Sequence, residues 1–391
     1  RLELRDSVPL RDEPRHARGV RDRRLAHGEP RAATLALVSV PGPYAFAEAL
    51  DAVEAGLSVM IFSDNVPVGQ EVLLKRRAAE RGVLVMGPDC GTAVVGGAGL
   101  GFANVLRPGP VGLVAASGTG AQQVSCLLDL AGVGVSHVLG VGGRDLSAEV
   151  GGLSTLRALE ALDADPATEL IVLISKPPAP EVARAVGEAV AKLGTPVVTA
   201  LLGPGRDDLT SAAEAALRSL GVPVPAWPSW PAPGTAGVPP APPGTGAGRN
   251  LRGIYSGGTL CAEARLVAGT GEFTDFGDDA YTVGRAHPMI DPTLRLEALA
   301  EVPPGDVVLL DVVLGHGADP DPSAGLAPAI AGAVARGVTA VVALVGSEGD
   351  PQGLAAQAGA LNAAGAAVFT SNAEAAGYAA RAATGIAANA R

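Results

Sequence analysis

The chain has 391 residues, 48% of them hydrophobic but only 3% aromatic, so a core must be built from Ala, Val and Leu, and the length suits two or three domains. A formal net charge of −11 argues against a nucleic-acid or anionic-membrane partner, because neutralising phosphates needs clustered Lys and Arg. Cys90, Cys126 and Cys261 stand alone, with no CxxC pair and no His spacing; this excludes a sequence-evident zinc or other metal site and a disulfide framework, and fits a reducing cytoplasm.

Residues 1–31 carry nine Arg and six acids and no apolar run, which points to an unstructured remnant of a truncated chain rather than a secretory leader. No apolar run reaches the roughly 18 residues of a membrane span. From residue 33 onward aliphatic runs alternate with helical segments. ATLALVSV (33–40), LSVMIFS (57–63) and VLVMG (83–87) come first, with helices expected around 45–55 and 67–81. PVGLVAAS (110–117), SHVLGV (136–141), ELIVLIS (169–175) and TPVVTALL (195–202) follow. Residues 222–250 hold nine prolines and almost no charge, and read as a semi-rigid linker without helix or sheet. Beyond it, NLRGIYS (250–256), DVVLLDVVLG (306–315), AVVALVG (340–346) and AAVFTS (366–371) repeat the rhythm. Short β-branched runs between helices predict an α/β fold with parallel sheets buried on both faces. The resulting division is 1–31 remnant, 32–106, 107–221, linker 222–250, and 251–391.

A longer echo joins the two halves. PVGLVAASGTGAQQVSCLLDLAG (110–132) and NLRGIYSGGTLCAEARLVAG (250–269) share one grammar: strand, Ser-Gly turn with Thr, helix. GVGGRDLS (140–147) and DFGDDAY (275–281) follow them as Gly/Asp turns. Two such units suggest paired flavodoxin-like domains. A helix N-terminus offers unpaired N–H groups and about half a positive charge. Ser117, Gly118, Thr119 and Gly120, with Ser256, Gly257, Gly258 and Thr259, are therefore expected to cradle a phosphate-like anion.

Other strand ends add candidates. In Met86-Gly87-Pro88-Asp89-Cys90-Gly91-Thr92, Asp89 and Thr92 face a ligand or merely form a turn. Cys90 has no nearby His to make it a nucleophile. Only three lysines occur, and Lys176 sits at the end of ELIVLIS, aimed at a ligand crevice unless it is an ordinary surface lysine. TVGRAHPMIDPTLR (282–295) gathers Arg285, His287, Asp291 and Arg295; Asp291 suits a helix cap, with Pro292 at the first helical position. Arg285 and His287 suit an anion or carboxylate. His316, in GHGADPDP, lies at another strand end, where Asp319 and Asp321 could orient its ring.

The runs GPDCGT, ASGTGAQQ, GVGGRDLSAEVGG, ISKPP, SGGTLCAEA, DFGDDAYTVGRAHPMIDPTLR and DVVLGHGADPDP, in this order over 33–220 and 250–385, resemble the FdrA family, a bacterial offshoot of the succinyl-CoA synthetases. The resemblance implies an incomplete Rossmann-like CoA-binding-type domain over 32–106, then two flavodoxin-like ligase-type domains. It also implies that the two Ser-Gly turns open paired helices holding a phosphoryl group. Departures matter. Where the synthetases carry a phosphorylated histidine, this chain reads LLGPGRDDLTSAAEAALRSLG (201–221), and Ser175-Lys176 stands where they carry a supporting glutamate. A nucleotide-grasp domain and an N-terminal glycine-rich CoA turn are missing from the sequence.

The family association further implies a subunit of oxamate carbamoyltransferase in allantoin catabolism, converting carbamoyl phosphate and oxamate to oxalurate and phosphate. In that reading Lys176, His287 and His316 are catalytic, Arg144, Arg285, Arg295, Asp89 and Thr92 bind substrate, and no cofactor is required. One alternative is an NDP-forming acyl-CoA synthetase that binds CoA or nucleotide and phosphorylates His316. Another is a non-catalytic ligand-binding or scaffold subunit. Small anionic substrates and partner subunits, in a hetero-oligomer or homodimer, are the expected partners.

Overall fold

The structure, a computed structural model, describes residues 33–232 and 249–384; the expected N-terminal remnant and most of the expected linker lie outside these residues. Three sheets result. The first is small and parallel: β1 (Leu35–Val38), β2 (Ser58–Ile61) and β3 (Val85–Met86), joined through α1 (Gly42–Glu54) and α2 (Val68–Arg81).

The second unit contains β4 (Thr92–Val95), β5 (Ala98–Gly101), β6 (Pro108–Ala115), β7 (Val135–Gly140), β8 (Leu170–Ser175) and β9 (Val197–Leu201). Between and after its parallel strands come α3 (Gly118–Leu130), α4 (Leu153–Asp163), α5 (Pro180–Val190) and α6 (Leu209–Ser219). The third contains β10 (Ser229–Trp230), β11 (Leu251–Tyr255), β12 (Glu272–Asp275), β13 (Val307–Val313), β14 (Thr339–Val345) and β15 (Ala367–Phe369). Its helices are α7 (Gly258–Ala268), the short α8 (Asp279–Thr282), α9 (Thr293–Ala300), α10 (Pro322–Ala335), α11 (Leu354–Ala363) and α12 (Asn372–Thr384). Among the described residues no helix is long and apolar enough to cross a membrane.

The strand orders are β5-β4-β7-β6-β8-β9 and β10-β15-β14-β13-β11-β12. In each, the chain leaves a central strand (β6 or β11), adds its next strand on one side (β7 or β12), and then crosses to the other side (β8 or β13). The sequence echo is thus an echo of topology, with one doubly wound order used twice. Such sheets leave a crevice where the winding reverses, at the carboxyl ends of β6 and β11. Those ends are Ser117 and Ser256.

The sheets are parallel-dominated, but their edges correct the expectation of purely parallel pairing. β4 and β5 form an antiparallel hairpin through Gly96 and Gly97, at φ 57° and 83°, the conformation that a tight hairpin turn demands. β10 pairs antiparallel with β15 (Ser229 opposite Phe369), so the start of the Pro-rich segment is not a free linker. Trp227 is buried there, and the carbonyl of Trp230 accepts from Asn362 Nδ2 at 3.3 Å. A two-residue edge strand needs few ladder bonds and tolerates flanking prolines.

The two six-stranded units share one apolar core, in which Val111, Leu113 and Leu127 of one join Tyr255, Leu260 and Val341 of the other. Helix α3 is buried from Gly120 to Asp129. Buried polar groups cross this seam, most with their bonds made, as burial requires; Gln122 Oε1 is without a partner among the described residues. Gln123 Nε2 donates to Thr370 O (3.0 Å) while its Oε1 accepts from Asn372 N (2.9 Å). Glu263 accepts from Leu209 N (2.6 Å) and Asn372 Nδ2 (2.6 Å), and burial pushes its carboxyl up to about 7. Asn104 donates to Asp350 Oδ2 at 2.7 Å and to Leu314 O at 2.9 Å.

The small first sheet docks through a buried cation. Lys75 on α2 donates to Glu71 Oε1 (2.7 Å), Asp145 Oδ1 (2.7 Å) and Val141 O (3.0 Å), while Asp145 also accepts from the Ser154 and Thr155 amides that open α4. Lys75→Ala leaves the buried Asp145 without its counter-charge and Glu71 with Arg144 alone, and should lower unfolding free energy by about 3–5 kcal/mol, read from urea denaturation. A loss within the roughly 0.5 kcal/mol typical of surface substitutions would mean that this cluster does not hold the docking.

Candidate active site

The turn before α7 is built from below. Asp311, fully buried in mid-β13, accepts from Ser256 N (2.7 Å), Ser256 Oγ (3.0 Å) and Gly257 N (2.9 Å), and pairs with buried Arg295 at 2.9 Å. Burial raises the Asp311 carboxyl, and Arg295 with these donors pulls it back. The carboxylate fixes the turn and leaves the amides of Gly258 and Thr259 to open the helix, where no carbonyl one turn back exists to receive them.

The turn before α3 uses its own cap. Ser117 is extended and its Oγ accepts from Gly120 N at 2.9 Å, leaving the Gly118 and Thr119 amides at the helix mouth. The two mouths meet. A Cβ placed on Gly257 would stand 2.7 Å from Thr119 Oγ1, so only glycine permits this approach. A Cβ on Gly258 would stand 2.5 Å from Asp275 Oδ2 and 3.2 Å from Lys176 Nζ, and one on Gly118 would stand 3.2 Å from Thr92 Oγ1. One crevice is therefore bounded by both helix starts, Thr92, Lys176 and Asp275. Lys176 is exposed and forms no ion pair among the described residues.

Asp89 and His287 complete the rim. Asp89 is accessible at its surface yet crowded by protein on its flanks; that burial, reinforced by Asp279 and Asp64, raises its carboxyl to about 6 against the pull of Arg144 and Lys176. Its φ of 56° is a left-handed conformation that Asp tolerates better than most residues. His287 packs against Phe102 (ring centroids 5.4 Å) and its Nδ1 accepts from Met289 N at 3.2 Å. Burial, and then Arg295, lower it to about 4, so near neutrality the ring is uncharged and its proton sits on Nε2. That Nε2 lies 3.0 Å from where a Cβ on Gly277 would stand, a point 3.2 Å from Asp275 Oδ1.

The crevice thus gathers Ser117, Gly118, Thr119, Gly257, Gly258, Thr259, Thr92, Lys176, Asp89 and His287. Other candidates are placed elsewhere. The Gly120 amide is used by Ser117 Oγ, and the Ser256 amide and hydroxyl by Asp311, so neither residue offers a donor to a ligand. Arg295 is 3% exposed and supports the turn from beneath, bonding Asp311 and Ile254 O. Arg144 turns toward the first unit, donating to Val66 O (2.7 Å) and pairing with Glu71 (2.9 Å). Arg285 is exposed, near Asp291.

His316 is exposed, its backbone bridged to Ala103. Its expected orienting partners are engaged otherwise: the Asp321 carboxylate holds Ser323 and Gln357, and that of Asp319 accepts the Asp321 amide. Asp291 is not the expected helix cap: the helix begins at Thr293 with Pro292 at the N-cap and no capping side chain, and the Asp291 carboxylate, one residue further out, accepts from Thr293 N at 3.0 Å. Sequence reasoning missed Asp275 and Asp311 as site residues. Their signals were present: one Asp closing a strand after EFT, and one charge alone within VVLLDVV.

Comparison with known proteins bears on this site. The CoA-ligase family profile matches residues 254–382 and the CoA-binding-domain profile matches 107–201. YahF, an uncharacterized protein of Escherichia coli (strain K12), is 38% identical over 382 aligned positions spanning 83% of this chain and 72% of the relative. A succinate–CoA ligase (ADP-forming) alpha subunit of Archaeoglobus fulgidus is 30% identical over 148 positions, 37% of this chain and 50% of that subunit. The chain therefore spans about half the length of that relative. ATP citrate lyase of Methanothrix soehngenii, solved with citrate and coenzyme A, is 20% identical with a TM-score of 0.38, over 53% of this chain and 38% of that one.

The raised Asp89 carboxyl gives a pH test. Its folded value of about 6 lies well above the ordinary carboxylate value of about 4, so the folded state holds this proton more tightly. Its contribution to stability is complete below about 4 and is lost as pH rises through about 6. Asp89→Asn removes that dependence. Urea midpoints measured from pH 4 to 7 should show wild type losing stability relative to Asp89→Asn across this window; parallel curves would refute the shift.

Proposed function

Because the chain belongs to the FdrA family of the succinyl-CoA synthetase superfamily, we propose that its crevice binds the phosphate of an acyl-phosphate-type mixed anhydride, and that carbamoyl phosphate is the substrate. The convergence of two helix N-termini and an unpaired Lys176 on one gap supports this reading. Four backbone amides, the Thr119 and Thr92 hydroxyls and an ammonium surround a space in which His287 is neutral. Such donors are worth most where charge develops and water is sparse.

The transfer needs no nucleotide and no cofactor. The oxamate amide nitrogen attacks the carbamoyl carbon; a C–N bond forms, and the C–O bond to phosphate breaks with its electron pair on oxygen. The nitrogen's proton ends on the departing phosphate, so oxalurate and hydrogen phosphate balance the reactants. Lys176 and the helix ends stabilise the leaving dianion, and His287 Nε2–H can donate to a carbonyl oxygen without carrying charge. Small anions are the ligands, and partner subunits, in a hetero-oligomer or homodimer, supply whatever surface the chain lacks.

The match of the CoA-binding profile to 107–201 favours a second reading, an acyl-CoA synthetase working through a phosphohistidine. Mass spectrometry at alkaline pH after incubation with Mg-ATP or Mg-GTP separates the two. Stoichiometric phosphate on His287 or His316 would establish the second.

For the first reading, calorimetric titration of inorganic phosphate and carbamoyl phosphate should show Lys176→Ala binding at least about tenfold more weakly, roughly 1.4 kcal/mol. Gly258→Val, whose side chain would strike Asp275 and Lys176, should abolish binding while the protein stays folded. Unchanged affinity in both variants would remove the phosphate from this crevice.

A further inference from the structure

Asp275 has no part in the transfer above, yet it stands where the phosphate is expected. It ends β12, paired in register with Tyr255, the residue before the Ser256 turn. Its Oδ1 accepts the Gly277 amide at 2.9 Å. Among the described residues its Oδ2 accepts from no donor; it faces the first turn of α7, 2.5 Å from the point where a Cβ on Gly258 would stand, and Lys176 Nζ approaches the same point to 3.2 Å. The two side chains flank that point without forming an ion pair. The carboxyl is raised, first by burial and then by Asp311, against the Gly277 amide and Lys176.

A carboxylate beside a phosphate site opposes the phosphate. Like charges repel strongly at such short range, more so where water is displaced. The arrangement is useful where the ligand carries N–H groups next to its phosphate, because Oδ2 is then an acceptor in place. Resting on the proposed phosphate position, we propose that Asp275 Oδ2 reads the NH2 of the carbamoyl group, and that this residue selects carbamoyl over alkyl acyl phosphates. An acetyl or succinyl phosphate presents C–H at the same place and leaves a desolvated carboxylate oxygen unpaired. A site built to hydrogen-bond a substrate N–H rejects the analogue lacking it far more strongly than an apolar pocket rejects a missing methylene.

Asp275→Asn tests this with little disturbance. Its Oδ1 keeps the Gly277 amide, and its Nδ2 then replaces the outward Oδ2, turning an acceptor into a donor. Inorganic phosphate, carbamoyl phosphate and acetyl phosphate are titrated calorimetrically into wild type and Asp275→Asn, with Asp275→Ala as a second variant should the first fail to fold. Wild type is expected to prefer carbamoyl over acetyl phosphate by about tenfold or more. Asp275→Asn is expected to lose that preference while binding inorganic phosphate at least as tightly as wild type. A folded variant that keeps the preference, or a wild type with none, overturns the role of Asp275 and leaves the phosphate site standing. Failure of wild type to bind inorganic phosphate at all overturns the site and this role together.

Discussion

Two helix ends of the same sign face each other, and the molecule is arranged to keep them there. Each N-terminus carries about half a positive charge, and Lys176 adds a whole one at the same gap. The approach is tight enough that Thr119 occupies the space of a side chain on Gly257. Nothing local favours such a pairing. It is held by the seam behind it, where one apolar core spans both units and the buried polar groups of α3, α7 and α12 satisfy one another.

The carboxylates around the gap divide by depth. Asp311 is deepest and spends its acceptors on the turn itself, with Arg295 beneath to balance it. Asp275 and Asp89 are nearer the mouth, and burial makes both weaker acids than usual. His287 is held uncharged. Permanent positive charge thus comes from Lys176 and the helix ends, while the groups that could oppose an anion are those most readily neutralised by a proton.

Much of this was legible in the residues. Short aliphatic runs placed the parallel strands other than β12 to within a few residues, because a strand buried on both faces has little alternative composition; β12, EFTD, carries no such run. The repeated strand–Ser-Gly–helix grammar placed both helix starts, and one rare lysine at a strand end lies beside them. What escaped reading was which donors were already engaged. Ser117 and Ser256 look alike in sequence, but one hydroxyl caps its own helix and the other is held by an aspartate 55 residues away. Arg295 and Arg144 read as clamps because a guanidinium's partner depends on contacts distant in sequence. The β4–β5 hairpin was hidden in a Gly-rich stretch, and the edge strand at Ser229 lay within prolines that suggested a linker.

The crossed bonds of the seam have a mechanical consequence. Rotating one six-stranded unit against the other would strip the buried Gln123, Asn372 and Glu263 of partners at once. The gap between the helix ends is therefore a fixed aperture, not a jaw. An anion entering such a site would meet a preset spacing on arrival, with no domain that must first swing clear.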